Sequence, residues 1–196
     1  GDRTLLLPPE HWLPTFQEAY PLYDRYFLDF LGRLADKVER LCVYDIGGNV
    51  GDTATAILSV APDAKVVCVE GSEYFLAYLH RNVAGRDNVE VMEGFVTHRP
   101  GNWTLSSDGS TGHLVETADD VQDQAQHLTV ADILGRGDRN AVRIWKSDTD
   151  GFDIPTVLGA FDDIAAACAI IWMEFDPLIN TSGPEDVRAL LDKIGE

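Results

Sequence analysis

The chain has 196 residues, 45% hydrophobic and 24% charged, the composition of one globular domain with a sizeable core. Thirty-three acidic against 15 basic residues leave a net charge of −18. So acidic a surface repels phosphate backbones and anionic lipid, which excludes nucleic acid and membrane surfaces as expected partners.

No apolar run approaches the ~18 residues of a transmembrane span, and no signal-peptide pattern opens the chain, so a cytoplasmic location is expected. Cys42, Cys68 and Cys168 are odd in number, lack a C-x-x-C pairing and sit among apolar neighbours. They read as reduced core cysteines.

The first 40 residues form a predicted helical extension, distinct from an α/β domain over 41–196. Trp12, Phe16, Tyr20, Tyr23, Phe27, Phe30 and Leu34 recur at three- and four-residue spacing. With Pro14 and Pro21 each suited to a first turn, the spacing predicts helices over 14–19 and 21–38, their stripe packed on the sheet.

A strand over 41–46 ends in Asp45 and Ile46 and breaks into Gly47-Gly48-Asn49-Val50-Gly51, followed by a helix over 52–60. This strand, glycine turn and helix let backbone approach a nucleotide-like ligand at a strand's carboxyl end. The next strand, 65–70, closes on Glu70 and then Gly71-Ser72. An acid about 20 residues past the turn is placed to accept hydrogen bonds from ribose hydroxyls. A dinucleotide fingerprint starting at Gly47 needs glycines where this chain has Asn49 and Asp52, and no phosphate-binding Gly-Lys-Ser/Thr loop occurs. A ligand with an adenosine and no phosphate fits best, which points to S-adenosylmethionine.

A helix over 72–83 and a strand over 89–93 follow, with Glu93 at the strand's tip a candidate for the adenine edge. Residues 99–126 have weak periodicity and many small polar residues. They are expected to be irregular and are placed to cover the site, with His113 a candidate general base. A helix is predicted over 129–134, a strand over 141–147, a helix over 153–159, a strand over 168–175 and a helix over 184–194. The strands at 65–70 and 168–175 are apolar nearly throughout, as in a parallel sheet buried on both faces. The alternation predicts a doubly wound three-layer sandwich.

Lys146 and Asp148 end the strand at 141–147, two residues apart and on one face. A charged pair at a central strand tip is costly to desolvate unless paired or used. Asp148 is the candidate base or orienter of an acceptor hydroxyl, with Lys146 beside it, and a structural salt bridge is the alternative. Asp150 and Asp153 precede a helix and suit its cap. Glu174 and Asp176 border the same edge as candidate acceptor contacts. Asp148, Asp150, Glu174 and Asp176 have no metal-specific spacing, and no metal is expected.

The segments Asp45–Thr53, Glu70, Lys146–Asp153 and Trp172–Phe175, with Leu158-Gly159-Ala160 between the last two, resemble the FkbM-type S-adenosylmethionine-dependent methyltransferases. That family carries Asp-(Ile/Val)-Gly-x-Asn-x-Gly-Asp after its first strand and Lys-x-Asp-x-(Asp/Glu)-Gly-x-(Asp/Glu) ending its fourth. The resemblance spans residues 40–180 in the same order. It implies a Rossmann-like class I methyltransferase fold with strand order 3-2-1-4-5. It also implies methyl transfer to oxygen, on a sugar, a glycan, or a glycosylated or polyketide small molecule. Asp45, Gly47, Gly48, Asn49, Gly51, Glu70 and Ser72 would then hold the cofactor, with Asp148, Lys146 and His113 at the chemistry and Asp150, Glu174 and Asp176 at the acceptor. The family's terminal strand pair is missing from these 196 residues. That would leave the fifth strand an exposed edge, to be covered either by a tail outside these residues or by a second copy in a homodimer. The competing readings are a nicotinamide-dependent oxidoreductase and a catalytically degenerate methyltransferase-like binding module.

Overall fold

The structure is a computed structural model, and it describes residues 4–22, 24–96, 103–107, 112–116, 126–175 and 182–195, the two segments between 103 and 116 as backbone. The core is a parallel sheet of β1 (Leu41–Ile46), β2 (Lys65–Glu70), β3 (Val89–Glu93), β8 (Val142–Ser147) and β9 (Ile170–Met173), in the order β3-β2-β1-β8-β9. Counting these five in chain order, this is the predicted order 3-2-1-4-5, a doubly wound sheet with its reversal between β1 and β8.

Strand alternation divides the core in two. Val43, Val66, Cys68 and Ile144 face α2 (Arg25–Ala35), α3 (Asp52–Val60) and α4 (Glu73–Asn82). Tyr44, Val67, Val69 and Trp145 face α5 (Val130–Arg136), α6 (Asp153–Gly159), α7 (Phe161–Ala167) and α8 (Pro184–Gly195). β1 is buried at all six positions because both faces are covered. The three cysteines are free and buried, as predicted. Among the described residues no helix is long and apolar enough to cross a membrane.

Three elements differ from expectation. The predicted helix over 21–38 is shorter because Asp24 takes a left-handed φ of 56° and α2 starts after it. The aromatic stripe divides there: Phe27 and Leu31 on α2 are buried, whereas Trp12, Phe16 and Tyr20 on and beside α1 (Leu13–Ala19) are exposed. Tyr23 lies outside the described residues. The strand expected over 168–175 is only β9, because α7 occupies the residues before it and ends at Cys168. Within the expected irregular segment, β5 (Trp103–Ser107) and β6 (Gly112–Glu116) pair as an antiparallel hairpin. Short parallel strands β4 (Phe95–Val96) and β7 (His127–Leu128) flank that segment.

Among the described residues β9 pairs only with β8, and its Trp172 ring lies 5.0 Å from Phe27 and 6.2 Å from Phe30. Leu31, fully buried where α2 meets α3, anchors the helical extension to the domain. Leu31→Ala should lower unfolding free energy by about 2–5 kcal/mol, measured by urea denaturation. A loss under about 1 kcal/mol would mean that α2 contributes little to the core.

Candidate functional site

The site lies at the carboxyl edge of β1, β2 and β8, where ligands bind in doubly wound sheets. A cleft of about 560 Å³, including its open mouth, is walled by Glu70, Gly71, Phe95 and Val96 at one end and by Asp148, Thr149, Asp150 and Phe152 at the other. Gly47 and Asn49 lie between them.

The glycine turn is built by close backbone approach. Gly47 has φ +82°, and a Cβ there would overlap the Asp148 carbonyl oxygen, so this glycine lets the tips of β1 and β8 close together. Gly48 packs on Cys68, and Gly51 (φ +82°) packs on Leu79 of α4. Neither lines the cleft, so their service to a ligand is indirect. The turn's donors are engaged within the protein. Gly47 and Gly48 N–H both donate to Val69 O (3.0 and 2.9 Å), and Asn49 N–H donates to Glu70 Oε2 (2.8 Å).

Glu70 is therefore a hub. Its Oε1 accepts from Gly71 N–H (3.0 Å) and Ser72 N–H (2.7 Å). A carboxylate has about four acceptor positions, so three internal bonds leave one for a ligand hydroxyl. Burial raises its pKa, opposed by the bonds from Ser72, Asn49 and Gly71. Ser72 is buried, contributes its backbone N–H, and is not a cleft-lining residue. Glu93 stands beside Glu70 in register, yet its carboxylate pairs with His80 (2.9 Å) outside the cleft. Phe95 and Val96 hold the position expected of it.

Beneath the other end lies Lys146, its side chain 5% exposed, with Nζ 3.0 Å from Asp45 Oδ1 and 3.1 Å from Asp148 Oδ2. Asp45 is fully buried, with the Lys146 ammonium as its charged neighbour. Burial raises Asp45, against the Lys146 charge. Desolvation alone would lower Lys146, but Asp148 and Asp45 hold it well above the usual lysine range.

Asp24 and Asp52 join this cluster. Desolvation pushes both up to about 6, with Lys146 opposing and the neighbouring aspartates assisting. Neither was singled out for chemistry by sequence, and Asp24 carries no motif: its position follows from the break before α2. Asp148 goes the other way. Desolvation would raise it, but Lys146 and a hydrogen bond from Glu174 keep it below the usual carboxylate range. Glu174 lies exposed just past β9, where partial desolvation and the Asp148 charge push its carboxyl up to about 8. The two neighbouring carboxyls thus shift in opposite directions, Asp148 toward its ionised form and Glu174 toward its protonated form.

Asp150 (φ 50°) lines the cleft, and the loop around it is tied by buried Asp153, which accepts from Ser147 Oγ (2.6 Å), Thr149 Oγ1 (3.0 Å) and Thr149 N–H (3.1 Å). Asp153 organises the loop as the first residue of α6. The backbone of His113 lies in β6 opposite Ser106; its side chain and Asp176 lie outside the described residues. Among the described residues no three His, Cys, Asp or Glu side chains are grouped as a metal site requires.

No family model and no curated protein sequence matches the chain. Solved structures do. A fibrillarin–Nop5p complex matches with a TM-score of 0.45 at 12% identity, over 79% of this chain and 60% of that one. The precorrin-6y C5,15-methyltransferase from Geobacter metallireducens matches with 0.43 at 15%, over 85% and 70%. The mitomycin 7-O-methyltransferase MmcR matches with 0.39 at 15%, over 87% and 43%. The chain thus spans less than two thirds of the first and third. These likenesses are loose, so the function must be read from the site's own geometry.

The acid cluster has a signed pH consequence. Asp24 and Asp52 bind protons more tightly in the folded state, about 6 against 3.8. Their contribution to stability is therefore full below about pH 4 and lost as pH rises toward 6. Asp24→Asn should raise Tm relative to the parent at pH 7.5 more than at pH 4.5. An equal change at both would show that Asp24 is not desolvated.

Proposed function

We propose that the chain is an S-adenosylmethionine-dependent methyltransferase acting on a hydroxyl oxygen. The observation that carries this reading is the disposition of donors and acceptors in the cleft. A dinucleotide's pyrophosphate is held by free N–H groups of the glycine turn. Here the N–H groups of Gly47, Gly48 and Asn49 are engaged by Val69 and Glu70. The cleft lining includes Glu70, Asp148 and Asp150 and, among the described residues, no Lys, Arg or His. Such walls repel phosphate and favour a cation. The remaining acceptor position of Glu70 suits a ribose hydroxyl, and the Phe95 ring gives a base an apolar face.

Bound there, S-adenosylmethionine supplies an electrophilic methyl group on a sulfonium. The chain's own residues do the rest. Asp148, held toward its ionised form by Lys146 and Glu174, would orient the acceptor hydroxyl and take up its proton, while the bound cofactor would give up its methyl group with cleavage of the carbon–sulfur bond. Lys146 holds Asp148 and balances part of the cluster's charge. Asp150, Glu174 and Asp176 hold other hydroxyls of the acceptor, and His113 is the alternative base. No step requires a metal. On the resemblance to FkbM-type enzymes, the acceptor is a sugar, a glycan, or a glycosylated or polyketide small molecule.

Calorimetric titration tests the cofactor. S-adenosylhomocysteine should bind and NAD should not. Glu70→Ala should weaken the former by about tenfold or more, because a charged hydrogen bond is worth about 1.5–3 kcal/mol. Binding of NAD alone would replace the methyltransferase with an oxidoreductase.

Turnover tests the chemistry once a product screen by mass spectrometry has identified an acceptor. Asp148→Asn should keep cofactor affinity within a few fold and lower turnover ~100-fold or more, the usual effect of losing a general base. Undiminished turnover would leave Asp148 a structural ion and pass the role to His113.

A further inference from the structure

Residues 4–12 precede α1 without regular secondary structure. Two side-chain amides hold this segment to the cleft. Asn82, on α4, accepts Leu6 N–H at Oδ1 (2.8 Å) and donates through Nδ2 to Leu6 O (2.9 Å). The same Nδ2 donates to Val50 O in the glycine turn (2.8 Å). One amide thus satisfies both backbone polar groups of Leu6, as a neighbouring strand would, and joins them to the turn.

The second tie is at His11. Its Nδ1 accepts from Leu13 N–H (3.2 Å), which leaves the proton on Nε2, and Nε2 donates to Asn49 Oδ1 (3.2 Å). The ring stands edge-on to Phe75 at 6.1 Å between centroids. Asn49 and Phe75 both line the cleft.

Asn49 is held at φ 44°, a left-handed conformation that residues other than glycine rarely take. In that conformation its N–H meets Glu70 Oε2, while Glu70 Oε1 takes the N–H groups of Gly71 and Ser72. A continuous hydrogen-bonded line therefore runs from His11 through Asn49 to the carboxylate placed for the ribose.

We propose that residues 4–13 are a latch on the cofactor cleft, with His11 a positioning residue that holds Asn49, and through it Glu70, in the ligand-ready arrangement. Docking of the N-terminal segment and binding of the adenosine ligand then strengthen each other, by the same factor in both directions. The proposal rests on the cofactor reading above and adds to it a part of the chain that no cofactor motif contains.

Two measurements on the full chain test it. In calorimetry, His11→Ala should weaken S-adenosylhomocysteine by about five- to tenfold. His11→Gln, whose amide can both accept from Leu13 and donate to Asn49, should stay within about twofold of the parent. In hydrogen exchange read by mass spectrometry, saturating S-adenosylhomocysteine should slow exchange over residues 4–12 by a similar factor. Parent-like affinity in His11→Ala, or exchange over 4–12 indifferent to the ligand, overturns the latch. If the parent binds no S-adenosylhomocysteine, the cofactor reading fails separately. The latch is then decided by exchange at residues 47–51 and 71–72: faster in His11→Ala sustains it, unchanged ends it.

Discussion

One ammonium organises the carboxyl edge of this sheet. Among the described residues Lys146 is the cation beside Asp24, Asp45, Asp52 and Asp148, and it is almost wholly buried. Removing so many charges from water is unfavourable unless they are paired, and a single cation cannot neutralise four carboxylates. The cluster meets this by ranking them. Burial drives Asp24, Asp45 and Asp52 toward the protonated form, while Lys146 and Glu174 keep Asp148 ionised. Asp148 is also the member that lines the cleft. Above about pH 6 Asp24 and Asp52 ionise in spite of their burial, so the stability of the strand tips is coupled to the charge of the site.

The glycine turn follows from the same closeness of β1 and β8. Gly47 has no room for a side chain because the Asp148 carbonyl lies against it, so the turn must begin in the left-handed region. Its amides then face Val69 and Glu70 rather than the cleft. A glycine turn that lets backbone approach a nucleotide-like ligand is, in three dimensions, an internally satisfied corner. The corner's value lies in fixing a carboxylate, Glu70, with one acceptor position outward. Ligand class is decided here by which hydrogen bonds are already made.

Much of this was legible in the sequence. The strands at 41–46, 65–70 and 89–93 keep their predicted bounds, because each is a run rich in apolar residues ended by an acid or glycine. Lys146 and Asp148 were expected on one face, and they pair. What escaped prediction depends on register and on breaks. Glu93 is the neighbour of Glu70 by pairing, but His80 of α4 draws its carboxylate away. Asp24 became part of the cluster only because the chain turns left-handed there, which no local spacing announces. His11 reads as an ordinary surface histidine until Asn49 is found beside it. α7, in Phe-Asp-Asp-Ile-Ala-Ala-Ala, has too short an apolar pattern to separate from the strand that follows.

The two ends of the cleft differ in how their acids are compensated, and the difference sets an orientation. Glu70 accepts from three backbone N–H groups, whose partial positive charges oppose its own. Asp148 shares the Lys146 ammonium with Asp45, and Asp150 lies beside it on the cleft wall. A ligand with a neutral hydroxyl-bearing end and a cationic end therefore has one favourable direction: hydroxyls toward Glu70 and the Phe95 ring, cation toward Asp148. On the proposed function, that direction would bring the cationic centre next to the carboxylate placed to accept a proton, so one electrostatic arrangement would serve both binding and methyl transfer.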